Sequence, residues 1–289
     1  MCGIAGILNL DHNPASLSDL QRMTDSLIHR GPDGEGQWIE DAVGIGHRRL
    51  AIIDLTSAGK QPMKSANNNF IISYNGEIYN FRELRVELEA KGYQFLSSTD
   101  TEVVLNAFAE WGVACLKKFN GMFAFAIWDR KEKNLTIARD RYGIKPLYYA
   151  QWGNTFLFAS EQKAILKHPI AKRELDKKAL LEYFTFQNIF TDRTLLENIK
   201  LLPAATSAKI SLASGKISFE NFWDYCFREP NNPADPKEYR EELDRLMLQA
   251  VNRQLVADVE LGSYLSGGID SGTVTALASK KLPYIKTFT

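Results

Sequence analysis

The 289 residues carry 35 basic and 35 acidic side chains, and 45% of them are apolar, enough for a packed core. Cancelled charge with no basic block argues against nucleic-acid binding through a charged face. The three cysteines, Cys2, Cys115 and Cys226, are far apart; they suggest neither a disulfide framework nor a metal site, and a reducing cytoplasm fits them best. At about 150 residues per domain, the length suggests roughly two domains.

The apolar run at 4–10 reads as a strand. It is short, contains Asn9 and has no basic flank, so it is neither a signal peptide nor a membrane span. Residues 16–28 follow as a helix, with Leu17, Leu20, Met23 and Leu27 at helical spacing. His29-Arg30-Gly31-Pro32-Asp33-Gly34 breaks it, and 43–54 alternates as a strand. Residues 70–74 form another strand that runs into Asn75-Gly76-Glu77. Residues 80–91 are a helix stopped at Gly92, and Thr99-Asp100-Thr101-Glu102 has the form of a capping box for the next. From 119 onward strands dominate, at 122–128, 135–139, 147–150 and 155–159, with Gly153-Asn154 as a hairpin turn. Residues 175–225 read as a peripheral extension closing an α+β domain of stacked sheets and helices.

Residues 229–236 hold Pro230, Pro233 and Pro236 and no apolar side chain beyond Ala234, which marks a linker. The expected division is therefore a domain at 1–225, a linker at 226–236 and a second segment at 237–289. That segment reads as a long amphipathic helix at 237–257, a buried strand at 259–265, a glycine turn, a helix at 272–281 and a strand from 284. This is the opening of a βαβ unit, hence of a parallel sheet.

Two constellations carry chemistry. After removal of the initiator methionine, Cys2 would bear a thiol and a free α-amine on one residue. Their ordinary pKa values, about 8.5 and 7.7–8.0, leave the amine partly unprotonated near neutrality and able to take the thiol proton. The plain alternative is an incidental small residue in a terminal strand. The second constellation is Ser266-Gly267-Gly268-Ile269-Asp270-Ser271 between a strand and a helix. Such a turn presents backbone N–H groups at a helix N-terminus, which suits a phosphate. The Walker pattern Gly-x-x-x-x-Gly-Lys is absent.

This second turn resembles the PP-loop of ATP pyrophosphatases. The first domain resembles the class II glutamine amidotransferases, which have an N-terminal-nucleophile (Ntn) αββα sandwich. The resemblance rests on Met1-Cys2-Gly3-Ile4, the His29–Gly34 motif, Gly46-His47-Arg48-Arg49-Leu50-Ala51-Ile52 and Tyr74-Asn75-Gly76-Glu77-Ile78-Tyr79-Asn80. Further motifs are Ser98-Thr99-Asp100-Thr101-Glu102, Phe119-Asn120-Gly121-Met122-Phe123-Ala124 and Ala138-Arg139-Asp140-Arg141-Tyr142-Gly143-Ile144-Lys145-Pro146-Leu147, with Ala159-Ser160-Glu161. Joined in this order, the two domains resemble glutamine-hydrolysing asparagine synthetase over essentially the whole chain.

The resemblance implies an enzyme in which Cys2 is the nucleophile and Asn75 and Gly76 form the oxyanion hole. Arg49 would bind the glutamine carboxylate and Asp100 the α-ammonium, with the helix start helping to keep Asp100 ionised. Leu50, Ile52 and Glu77 are further implied glutamine contacts. Leu265, Ser266, Gly267, Gly268, Asp270 and Ser271 would hold ATP, with Asp270 near its Mg²⁺; no metal site is implied for glutamine hydrolysis. His29 and His47 are expected to be structural. Aspartate would be the acceptor. No nucleic-acid or membrane partner is implied, and oligomeric state, a homodimer included, is not decided by the sequence.

Three positions depart from the family pattern: Glu260 where proline is usual, Gly272 where serine is usual, and Leu202-Pro203-Ala204-Ala205 in place of a Pro-Gly stretch. None touches the glutaminase residues. The family's synthetase domain also extends well past this length, so the expectation is a glutaminase domain with a truncated α/β PP-loop segment (adenine nucleotide α-hydrolase-like), making no asparagine by itself. The alternatives are a relative amidating another carboxylate such as a sugar acid, a β-lactam-synthetase-type relative (these lose the cysteine kept here), and a non-catalytic scaffold fragment.

Overall fold

Alternating apolar strands and amphipathic helices must bury their hydrophobic faces against one another, and here they do so in layers. The computed structural model describes residues 1–230 and 233–289. It divides into two units, Met1–Asp224 and Tyr225–Thr289. Within the expected linker, Asn231 and Asn232 lie outside the described residues.

The first unit begins with β1 (Gly3–Asn9), α1 (Leu17–Asp25), β2 (Gly34–Glu40), β3 (Val43–Arg49), β4 (Met63–Lys64) and β5 (Phe70–Ile78). It continues with α2 (Phe81–Glu89), α3 (Asp100–Trp111), α4 (Cys115–Lys118), β6 (Gly121–Asp129), β7 (Asn134–Arg139), β8 (Tyr148–Trp152) and β9 (Thr155–Ala159). It closes with α5 (Gln162–Ile165), α6 (Lys177–Phe186), β10 (Ile199–Leu201), β11 (Thr206–Ser211) and β12 (Ile217–Asn221). Among the described residues one sheet runs β10-β8-β9-β1-β3-β2 and the other β12-β11-β7-β6-β5-β4.

β1 lies inside the first sheet and is buried on both faces. Its Ile4 and Leu8 join Val43 and Ile45 of β3 in a core shared with Ile71, Trp128, Leu135 and Ile137 of the second sheet. Its alternate residues, Ala5 and Ile7, pack instead with Leu20, Met23 and Leu27 around α1 and with Ile165 of α5. Period-two alternation therefore sends one set of side chains between the sheets and the other toward the helices. On the second sheet, α3 buries Val103, Val104 and Phe108, and Phe108 meets Phe70 edge-to-face at 5.7 Å. The result is the αββα sandwich.

Several boundaries differ from the sequence expectation. Helix α1 ends at Asp25 because tighter turns take over, Leu27 N–H donating to Thr24 O and Ile28 N–H to Asp25 O. Ile28 consequently faces solvent, and Leu17, at the helix start, is exposed as well. The strand expected over 43–54 stops at Arg49, since the chain beyond it folds back around the Arg49 guanidinium. The strand expected over 70–74 runs on to Ile78 because β6 pairs along its whole length. Strand β2, unremarked in the sequence, is half-buried and lacks clean alternation. The stretch 175–225 is more than a peripheral extension: β10 pairs with β8 and β11 with β7, and Leu202, Ala208 and Ile210 enter the inter-sheet core.

The second unit contains α7 (Pro236–Gln254), β13 (Gly262–Tyr264), α8 (Ile269–Ser279) and β14 (Lys286–Phe288). β13 and β14 pair in parallel, Gly262 opposite Lys286 and Tyr264 opposite Phe288, so the βαβ opening forms. The strand expected at 259–265 is shorter and not buried, Tyr264 being 83% exposed. Two parallel strands lack the layers that ordinarily cover both faces of such a sheet. Among the described residues no helix is long and apolar enough to cross a membrane.

Phe158 of β9 is fully buried between the sheets, whereas Leu181 on α6 is 69% exposed. Phe158→Ala is expected to cost about 3–5 kcal/mol in urea unfolding of the first unit, against about 0.5 kcal/mol or less for Leu181→Ala. Similar costs for the two would contradict this layering.

Candidate active site

The site grows from the end of β1. Gly3 pairs with Arg48 of β3, so Cys2 emerges beside the point where β3 gives way to the 50–59 loop. The Leu50 N–H points at Cys2 Sγ at 3.4 Å, and the Leu50 carbonyl lies 3.6 Å from the same sulfur. Arg30 anchors the strand start, its Nε donating to Cys2 O at 2.9 Å and its Nη1 to Glu161 at 2.9 Å. Burial pushes the Cys2 thiol above its ordinary pKa; the Leu50 N–H and the nearby terminal amine act against that shift. A nucleophile held this way stays protonated until a base takes its proton.

The second sheet brings Asn75 and Gly76 on β5, opposite Ala124 and Phe123 of β6. They sit within the strand rather than at its end. Asn75 is 1% exposed, and its Nδ2 is buried without a hydrogen-bond partner among the described residues. Such an orphaned donor costs free energy in the resting protein, about 1–3 kcal/mol, and calls for a reason. At Gly76 the neighbouring strand permits no side chain, because a Cβ would lie 2.4 Å from Met122 O.

At β3's end the Arg49 side chain enters the loop it terminates. Nη1 donates to Thr56 O at 2.8 Å, and Nη2 donates to Asp54 O and lies 3.4 Å from Ile53 O. Among the described residues its charge meets carbonyl oxygens but no carboxylate, leaving it able to receive an anion.

Across the cavity Asp100 begins α3 and is 5% exposed. Its carboxylate accepts from Tyr74 Oη at 2.7 Å and Ile78 N at 3.0 Å. Burial nevertheless raises its pKa, so the helix start does not keep Asp100 as firmly ionised as its position suggested. The capping box is half formed: Thr99 Oγ1 accepts from Glu102 N, but the Glu102 carboxylate binds the Leu96 and Ser97 amides. Glu77 is also raised, first by burial and then by Asp100.

All eight glutamine-site residues suggested by the sequence, Cys2, Arg49, Leu50, Ile52, Asn75, Gly76, Glu77 and Asp100, line one cavity of about 540 Å³ including its mouth. The cavity also contains residues that the sequence left without a role. Gln61 accepts from Tyr74 N at 2.7 Å and donates to Thr101 Oγ1 at 3.3 Å, bracing β5 against α3, and the buried Lys145 reaches in from the loop after β7. Lone polar residues in loops carry no periodic signal, although both lie next to a proline. Of the histidines in the family motifs, His47 Nδ1 contacts Ser73 Oγ at 3.1 Å, with complete burial drawing its pKa down to about 3, and His29 pairs with Glu161.

The second cluster belongs to the second unit. Leu265, Ser266, Gly267 and Gly268 connect β13 to α8, and Asp270 and Ser271 lie in the first helical turn. Gly267 has φ +79°, which favours glycine. Ser271 Oγ lies 3.0 Å from Ser266 Oγ and accepts from Ser266 N at 3.1 Å, tying the turn closed. The α8 N-cap is Gly268, without a side-chain cap, so the helix-start N–H groups remain available to an anion.

Residues 1–223 match the family model described as glutamine amidotransferase domain, and the chain belongs to that family. Residues 242–289 match the model described as asparagine synthase. Asparagine synthetase [glutamine-hydrolyzing] 3 of Bacillus subtilis is 40% identical over 287 residues, covering 96% of this chain and 45% of that protein. Asparagine synthetase [glutamine-hydrolyzing] 1 of the same organism is 38% identical, covering all of this chain and 45% of that protein. Amidase chry2 of Gibberella zeae is 32% identical, covering 96% of this chain and 43% of that one. The chain thus spans about half the length of the curated relatives it matches. In fold it is similar to glutamine phosphoribosylpyrophosphate amidotransferase of B. subtilis, with TM-score 0.58 and 19% identity over 99% of this chain and 65% of that one. The first unit has the N-terminal-nucleophile architecture.

The loop that holds Arg49 is itself pinned by Asp54, whose carboxylate accepts from Thr56 Oγ1, Thr56 N and Ser98 N and is drawn down to about 2. A folded value below the unfolded one, about 3.9, gives stability that is full above about pH 4 and lost as pH falls toward 2. Asp54→Asn is expected to remove roughly 2 kcal/mol of pH dependence across that window, read by urea unfolding at stepped pH. An unchanged acid slope would contradict the assignment.

Proposed function

We propose that this chain hydrolyses glutamine at Cys2, as the ammonia-supplying half of a glutamine-dependent asparagine synthetase. The observation that carries the reading is that Asn75, whose buried Nδ2 has no hydrogen-bond partner among the described residues, lines the same cavity as Cys2: such a donor suits an oxyanion. Removal of Met1 frees the Cys2 α-amine. Burial already lowers the terminal amine's pKa in the unprocessed chain, favouring the unprotonated form that a base requires.

The amine takes the Sγ proton, directly or through a water, and Sγ attacks the side-chain amide carbon of glutamine. A C–S bond forms while the carbonyl electron pair moves to oxygen, which Asn75 Nδ2 and the Gly76 N–H stabilise. Collapse breaks the C–N bond, and the ammonium returns its proton to the departing nitrogen. Ammonia leaves and a γ-glutamyl thioester remains. Water, activated by the same amine, then releases glutamate and restores the thiol. Arg49 receives the substrate α-carboxylate, while Asp100, with Glu77 beside it, receives the α-ammonium, whose charge favours their ionised forms. Leu50 and Ile52 contribute the wall behind the sulfur.

In the parent reaction ATP activates the β-carboxylate of aspartate as an adenylate, releasing pyrophosphate, and ammonia displaces AMP. The 265–271 turn suits the ATP phosphates through its uncapped helix start. Asp270 offers one carboxylate there, so a Mg²⁺ ion would draw its remaining ligands from phosphate and water. The free thiols Cys2, Cys115 and Cys226 support a cytoplasmic setting.

The test is glutamate release from glutamine by protein verified by mass to lack Met1. Cys2→Ala is expected to abolish it, Asn75→Ala to lower kcat about 10²–10³-fold, and Arg49→Ala to act chiefly on KM. Full activity in Cys2→Ala, or no turnover by folded, processed protein, would overturn the reading. Asparagine formed from aspartate and ATP by these 289 residues alone would show that they supply more than the glutaminase half.

A further inference from the structure

Lys145 is 6% exposed, yet its side chain lines the cavity that holds Cys2. The loop carrying it is unusually constrained. The fully buried Asp140 carboxylate accepts four backbone N–H groups, from Phe123, Tyr142, Ile144 and Lys145, at 2.9–3.1 Å. The Arg139 guanidinium donates to the carbonyls of Lys145, Leu202 and Gly143. The loop is therefore built by Arg139 and Asp140. Among the described residues Lys145 Nζ takes part in no ion pair or hydrogen bond, so its charge does not serve to hold the loop. Burying an ammonium without a partner is costly, and such groups concentrate at functional sites.

The charges around the sulfur show what that ammonium can do. Facing Cys2 are the terminal amine, Arg49 from the end of β3, Glu77 from β5 and Asp100 from α3, with Arg30 behind its carbonyl. Burial and the two carboxylates oppose a negative sulfur. Arg30 is engaged by Glu161, and Arg49, whose charge favours the thiolate, is held by loop carbonyls. Lys145 is the other cation lining this cavity, with burial lowering its pKa and Glu77 and Cys2 supporting its charged form. We propose that Lys145 is a further functional residue of this cavity, placed by the 140–145 loop so that its ammonium stabilises negative charge on Cys2 Sγ. The proposal rests on the reading of Cys2 as the nucleophile.

The test measures the pH dependence of Cys2 alkylation by iodoacetamide in the full Met-processed chain, quantified by peptide mass spectrometry. The thiolate forms the C–S bond and iodide leaves with the electrons of the C–I bond. Exposed Cys226 in the same chain serves as the internal control. Lys145→Met is expected to raise the Cys2 midpoint by about one pH unit and slow alkylation near neutrality about tenfold, with Cys226 unchanged. Lys145→Arg is expected to restore the midpoint. An unchanged midpoint in Lys145→Met, with rates scaled equally at every pH, would overturn the proposal, as would an equal shift in Lys145→Arg. Should Lys145→Met fail to fold, Lys145→Gln carries the same two outcomes. Iodoacetamide needs no glutamine site, so normal alkylation shifts without glutamate release would overturn the glutaminase reading alone. An active glutaminase with an unshifted midpoint would overturn the role of Lys145 alone.

Discussion

The antiparallel register between β1 and β3, which sets Gly3 opposite Arg48, fixes the geometry of everything that follows. It brings Cys2 alongside the last residue of β3, so the sulfur meets the Leu50 amide and Arg49 turns into the same cavity. Because side chains alternate with period two, a slip of one residue would send Ile4 and Leu8 out of the inter-sheet core and Ala5 and Ile7 into it. The register is thus secured by burial on both faces of β1, and the position of the candidate nucleophile is a consequence of core packing. The second sheet adds Asn75 from β5, and α3 adds Asp100 by packing on that sheet.

The cavity is a place where burial works against ionisation. It raises the Cys2 thiol, Glu77 and Asp100 and lowers Lys145. In water such charges would be nearly independent; in a shielded pocket each depends on its neighbours. An α-amino acid zwitterion entering between Arg49 and the two carboxylates supplies one charge of each sign and satisfies both ends. The cavity's electrostatics therefore favour a zwitterion over a simple acid or amine. The Asn75 Nδ2, without a hydrogen-bond partner among the described residues, carries a similar resting-state cost, which an oxygen bearing negative charge would offset.

Much of this was legible in the sequence. The Asn-Gly-Glu run, Arg49 within the strand expected over 43–54 and the aspartate behind Thr99 were each ambiguous as surface residues, and the family resemblance tied them to one site. Hydrophobic periodicity located β1, α1, α2, α3 and β9. What it could not supply was anything set by pairing with a distant strand: the extension of β5 to Ile78 depends on β6, and the entry of β10 and β11 into the two sheets depends on partners about 50 to 75 residues upstream. The end of β3 depends on where the Arg49 guanidinium finds carbonyl oxygens. Lys145 sat inside a recognised motif with no assigned role, because its burial arises from the Asp140 and Arg139 bonds that shape its loop. In the second unit the apolar run at 259–265 suggested a buried strand, and what forms is an exposed parallel pair.

Cys2 as a glutamine-directed nucleophile served by Arg49 and Asp100 is tested most directly by covalent trapping with a diazoketone analogue of glutamine, followed by peptide mapping of the Met-processed chain. A single adduct on Cys2 is expected, prevented by excess glutamine and suppressed by Arg49→Ala or Asp100→Ala, with Cys115 and Cys226 unlabelled. Labelling that spares Cys2, or that glutamine does not compete away, would contradict it.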